Sequence, residues 1–256
     1  MGEIIDELLE IDPPCQVEIS NALAAIIELG GWKYALNKLD QIKAEDSPYS
    51  KLSWKDIEEM IACHQQPIEQ IIETIFPSNV QTLDFSRART LLYALDRALD
   101  QFKPALVHQA LERLEQWDLS FEMRMRFNKR LIHAFLLEKK WQQAGEVIYT
   151  YPIEILNKGT TPLHFLYGCW LQATEGREMA MIHFTGLIHG AYPRSWTLAS
   201  HELLGDLLQH DWFDKAFLWE KKQLYRQLSL YYFCAGEEEQ AELFHQLFKQ
   251  QLVNID

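Results

Sequence analysis

The chain has 256 residues, 48% of them hydrophobic and 24% charged, enough for one large or two modest domains with proper cores. Its formal net charge of −13 argues against a nucleic-acid binder, which needs a basic surface to displace counterions, and against docking on anionic lipid. No stretch approaches the roughly 18 consecutive apolar residues of a membrane span, and no basic start followed by an apolar run marks a secretory leader. Asp6 stands where a myristoylation signal wants Ser or Thr. Cys15, Cys63, Cys169 and Cys234 are far apart and form no Cys-x-x-Cys pair, the pattern of small core residues in a reducing compartment. A cytoplasmic protein without membrane insertion is expected.

Apolar residues recur at three- and four-residue intervals almost throughout, so the elements predicted in chain order are helices. The first pair is Gln16 to Leu29 and Trp32 to Ile42, joined at Gly30-Gly31. A polar loop from Glu45 to Ser50 follows. Ser53, with Asp56 three residues on, is placed to cap a helix from Trp54 to His64, and Pro67 opens a shorter one ending before Phe76. This second region fits a repeat poorly and reads as an irregular insert. A helix from Asp84 to Phe102 is then broken by Lys103-Pro104, with Pro104 in the first turn of a helix reaching about Trp117. Asp118 or Ser120 caps the segment from Phe121 to Leu137. Further segments are Trp141 to Tyr149, Leu163 to Thr174 with Glu178 to His189, and Ser195 to Gln209 with Phe213 to Lys222. The last pair is Gln223 to Cys234 and Glu238 to Leu252, joined at Ala235-Gly236. Two parts emerge: residues 1–80, with one hairpin and the insert, and residues 81–256, a regular array.

One frame recurs where second helices begin. It reads Trp32-Lys33-Tyr34-Ala35, Trp141-Gln142-Gln143-Ala144 and Phe213-Asp214-Lys215-Ala216, and Arg177-Glu178-Met179-Ala180 keeps the Ala without the aromatic. Ala144, Ala180 and Ala216 are about 36 residues apart, near the period of a two-helix repeat. The fullest copy has Gly168 where two helices must approach, Leu171 at an aromatic position, Ala180 as the small contact, then Phe184 and Pro193. A last copy, with Ser229, Tyr232 and Ala241, comes only about 25 residues after Ala216, which suggests two helices fused or joined without a loop. On these residues the chain resembles a divergent tetratricopeptide-like array over about two-thirds of its length. The resemblance implies an all-α fold of antiparallel helix hairpins stacked as an α-solenoid, with a concave groove that takes a protein or peptide.

Two further runs, His164-Phe165-Leu166-Tyr167-Gly168-Cys169-Trp170 and His189-Gly190-Ala191-Tyr192-Pro193-Arg194-Ser195-Trp196, resemble the non-catalytic C-terminal helical region of chlamydial D-type serine/threonine protein kinases. The chain itself has no Gly-rich phosphate loop, His-Arg-Asp or Asp-Phe-Gly. The resemblance therefore implies an accessory portion that recruits partners.

Motifs for chemistry are scarce. His201-Glu202-Leu203-Leu204-Gly205 has Gly where a zinc protease needs its second His, and no Cys/His cluster has zinc spacing. No Gly-x-Ser-x-Gly elbow or P-loop is present, so no catalytic residue, metal site or cofactor is expected. The eight tryptophans read mainly as core, with Trp170, Trp196, Trp212 and Trp219 also able to line a groove.

One feature runs against the global charge. Arg126, Lys129, Arg130 and His133 lie at i, i+3, i+4 and i+7, one face of one helix. In the repeat frame that face lines the groove, and it resembles part of a clamp for a peptide's terminal carboxylate, held by charge-assisted hydrogen bonds. The companion asparagines are missing, and a solvated stripe paired with neighbouring acids is the plainer alternative. The preferred reading is a non-catalytic scaffold binding a protein or peptide, with Arg126, Lys129, Arg130 and His133 as candidate anion ligands. Two others stay open: a cytosolic chaperone or adaptor for secreted bacterial cargo, and an enzyme whose site would gather His183, His201, Glu202 and Asp206.

Overall fold

A computed structural model describes residues 16–28, 32–44, 52–76, 85–114, 117–156, 163–187, 199–200, 202–203 and 218–250. Every regular element among them is a helix. Contacts divide the chain into two compact units, one of Met1–Pro77, Asp84–Ala94 and Gln250–Asp256, the other of Ser78–Leu83 and Leu95–Lys249.

In the first unit, α1 (Gln16–Glu28) and α2 (Trp32–Ile42) pair, and α3 (Lys55–Gln65) packs on both. The period-3.6 apolar stripe of each helix supplies the core: Ile19, Leu23, Ile26 and Ile27 from α1; Ala35, Leu39 and Ile42 from α2; Ile57, Met60 and Ile61 from α3. Pro67 is the N-cap of α4 (Ile68–Ile75), which buries Ile68, Ile71, Ile72 and Ile75. The expected Ser53 cap is not formed. Trp54 occupies the N-cap of α3 and is itself buried, while the Ser53 carbonyl accepts a hydrogen bond from Gln16 Nε2 (2.8 Å). Burying a tryptophan at the helix entrance outweighs one capping hydrogen bond.

α5 (Phe85–Asp100) contributes residues to both units. The second unit continues with α6 (Pro104–Leu114), α7 (Phe121–Leu137), α8 (Trp141–Ile148), the short α9 (Ile153–Leu156), α10 (Leu163–Thr174), α11 (Arg177–Leu187), α12 (Leu218–Cys234) and α13 (Glu238–Gln250). Ser120 rather than Asp118 caps α7, its Oγ accepting from the Met123 amide (3.2 Å). Helices α7 and α8 pair, as do α10 and α11, and α10 packs on both members of the preceding hairpin.

The recurring alanine now has a physical reason. Three second helices start from a turn residue, Lys140, Gly176 or Glu237, whose carbonyl accepts the amide of Ala144 (3.0 Å), Ala180 (3.3 Å) or Ala241 (3.0 Å). That amide closes the first turn of the second helix, and the small side chain is packed away from solvent: Ala144 and Ala180 are fully buried and Ala241 nearly so. The turns themselves need a left-handed residue, supplied by Gly176 (φ 91°), Gly236 (φ 75°) and, without glycine, Lys139 (φ 56°). Gly168 works as anticipated: a Cβ there would overlap the Phe184 ring of α11.

The predicted boundary between Lys222 and Gln223 does not exist, because α12 runs unbroken through it. This is the fusion that the short spacing before Ala241 anticipates. α13 folds back on α12 through Ser229 Oγ, which donates to the Ala241 carbonyl (2.9 Å), and through the stacked rings of Tyr232 and Phe244. Gly30-Gly31, Pro193 and the His189-to-Trp196 run lie outside the described residues, as do most of Ser195 to Gln209 and the frame at Ala216.

Candidate functional site

The basic face of α7 does not stand alone. α12 packs against both α7 and α10, and the last turn of α5 closes the same seam with Asp96 and Asp100, one helical turn apart. Arg130 holds Asp96 bidentately, Nη2 to Oδ2 at 2.5 Å and Nε to Oδ1 at 3.2 Å, and its Nη1 also donates to the Arg126 carbonyl (3.0 Å). From α12, Arg226 Nη2 reaches Asp96 Oδ1 at 3.4 Å, and Nε lies 2.6 Å from Asp100 Oδ1. The latter is a bent ion pair rather than an aligned hydrogen bond, so it leaves both atoms short of a hydrogen-bond partner.

These positions set the electrostatics. Burial works to raise the Asp96 carboxyl, but Arg130 and Arg226 together hold it below its ordinary value. For Asp100, burial wins and, with the neighbouring Asp96 charge, lifts its carboxyl above the usual range despite Arg226. Burial, then Arg226 and Arg130, push His133 down to about 3 against the opposing pull of Asp96. Lys129 is pushed down to about 8, by burial first and then by Arg130 and Arg126. Arg126 faces solvent and pairs with Glu122 one turn back (2.7 Å). Of the four predicted residues, then, Arg130 and His133 point into the seam with α5 and α12, Arg126 is exposed and Lys129 is half-buried.

A cavity of about 20 Å³ opens in the same seam, lined by Asp100, His133, Arg226, Ser229, His245 and the rings of Phe102, Phe233 and Phe248. It has room for a water molecule rather than a cofactor. His245 meets the Phe102 ring edge-on (4.7 Å), and Phe102 holds a left-handed backbone (φ 54°) at the end of α5.

Two other described histidines make contacts within the fold. His183 Nε2 donates to the carbonyl of the buried His164 (2.9 Å), and His108 pairs with Glu138 (2.8 Å). Among the described residues no three His, Cys, Asp or Glu side chains form a group suited to a metal ion. His201 and Asp206, suggested as enzyme-site partners of His183 and Glu202, lie outside the described residues. Trp170 is buried, its Nε1 donating to the Trp141 carbonyl (2.8 Å), while Trp196, Trp212 and the side chain of Trp219 are outside the described set. Cys63, Cys169 and Cys234 are buried thiols. No described helix is long and apolar enough to cross a membrane.

The acids that complete the seam were not singled out in the sequence. Asp96 and Asp100 carry a signal in their i, i+4 spacing, but nothing local ties them to Arg226, which is 130 positions from Asp96.

Against known proteins, the chain is 41% identical over all 256 of its residues to the serine/threonine-protein kinase PknD of Protochlamydia amoebophila (strain UWE25). It is homologous to a region of a bacterial serine/threonine kinase. The match covers 100% of this chain and 26% of the kinase, so the chain spans about a quarter of that relative's length. No family model matches the chain, and no solved structure matches it.

Proposed function

We propose that this chain is a non-catalytic protein-interaction scaffold, corresponding to an accessory helical region of a bacterial serine/threonine kinase. The observation that carries the reading is the full-length match to a quarter of a kinase by a chain that contains no phosphate loop, His-Arg-Asp or Asp-Phe-Gly. The hairpins of the second unit support it. α10 packs on both α7 and α8, the kind of nearest-neighbour packing on which tetratricopeptide-like solenoids are built, and such arrays act as binding surfaces. In this reading the region recruits a protein or peptide partner in the cytoplasm, and Arg126 and Lys129 supply the accessible end of an anion-binding stripe on α7.

The test uses the relative that contains the matching region. Deleting that quarter from the Protochlamydia kinase should leave phosphotransfer to a generic protein substrate intact and remove co-purification of native partners. Loss of phosphotransfer with unchanged partner capture would overturn the proposal. For the stripe, R126E combined with K129E should abolish capture at moderate salt, and unchanged capture would eliminate it.

A further inference from the structure

We propose that the seam between α7 and the α12–α13 hairpin is a proton-sensitive latch, in which His133 and His245 must both be neutral for the hairpin to stay docked. The geometry carries the inference. His133 from α7 and His245 from α13 line one small cavity together with Arg226 and Asp100. The charges that act on His133 are Arg226 from α12, Asp96 from α5 and Arg130 from α7 itself. Those acting on His245 are Lys249 and Glu242 of α13, and Lys222 of α12 lies over the neighbouring Phe248 ring (5.2 Å). α6 also packs on α7 but brings His108 to Glu138, one turn beyond His133. α8 and α10 meet α7 through the apolar cluster of Ile132, Leu136, Ala144, Ile148 and Cys169.

The seam therefore sets Arg130, Arg226 and Lys129 against Asp96 and Asp100, so another positive charge in the cavity adds repulsion with little to offset it. Undocking would return both imidazoles to water and to ordinary basicity. The sign follows. A base held neutral in the docked state and free to protonate in the undocked one loses no stability above its unperturbed value, near 6.5, and loses it progressively as pH falls below. With His133 held near 3, its titration alone shifts the docking equilibrium about 30-fold between about pH 7.5 and about pH 5. His245, also lowered by burial, adds to that.

Amide hydrogen exchange of the whole chain, corrected for intrinsic rates, tests the latch. Protection in α12 and α13 should fall about 30-fold or more from pH 7.5 to pH 5, relative to protection in α8 and α11. H133Q should flatten that loss, and H133Q combined with H245N should remove what remains. A parallel loss in all helices, or a full pH response in H133Q, would overturn the proposal. Should the variants fail to fold, an NMR titration of the wild-type imidazoles decides: His133 remaining neutral down to the pH of undocking supports the latch, and ordinary titration in the docked protein refutes it.

Discussion

Within the second unit, the seam between α10 and α11 and the seam joining α7, α12 and the end of α5 are built on opposite principles. The first is apolar and selected by shape. Phe165 and Phe184 pack ring against ring (5.3 Å between centroids), and the absent side chain of Gly168 makes the space that Phe184 fills. The second is charged and selected by pairing. Two acids on α5 hold two arginines from helices distant in sequence, beside half-buried imidazole and ammonium groups. Shape selection tolerates any pH and salt but no change of volume. Charge selection tolerates changes of volume but not the loss of one partner or the gain of a proton.

The sharpest way to break the apolar seam is Phe184→Ala, which removes a fully buried ring and should cost about 3–5 kcal/mol in chemical denaturation. Filling the same space from the other side, Gly168→Ala should cost about 1–3 kcal/mol by overpacking, and the two substitutions together should cost less than their sum, because the new methyl occupies vacated volume. On the charged seam, Asp96→Ala leaves Arg130 and Arg226 without their shared acceptor and should cost about 2 kcal/mol. Asp96→Leu combined with Arg226→Met should recover part of that loss, since a partly buried ion pair adds little net stability over apolar replacements. A double variant no more stable than D96A would show that the seam depends on its charges for more than mutual compensation. Ser120→Ala, removing the cap of α7, the helix that carries Arg130 into the charged seam, should cost about 1 kcal/mol in thermal or urea unfolding. Glu122→Gln should change stability by about 0.3 kcal/mol, because its pair with Arg126 is exposed to solvent.

How far each seam could be read in advance follows from the same contrast. The frame ending in Ala144 and Ala180, the role of Gly168 and the fusion near Lys222 were all legible, because they depend on spacings of a few residues within one hairpin. The Ser53 cap was misplaced because the burial of Trp54, against Ile57, Met60 and the helices around them, outweighed a local hydrogen bond. The stripe of Arg126, Lys129, Arg130 and His133 was legible as a helix face, but its surroundings were not. Whether a cation faces a groove, solvent or a buried carboxylate depends on which distant helix lies over it, and helical periodicity is silent on that.

From residue order alone came the all-helical character, the paired helices and most of their limits, since these are settled by 3.6-residue periodicity, turn chemistry and the small side chains that first turns require. Only the three-dimensional packing decided that α12 covers α7 as well as α10, and so that Asp96, Arg130, Arg226 and His133 share one site. The physical reason is range. Local backbone preferences act over one or two turns, whereas the partner of a buried charge is chosen by whichever surface makes its desolvation tolerable, however far along the chain that surface lies.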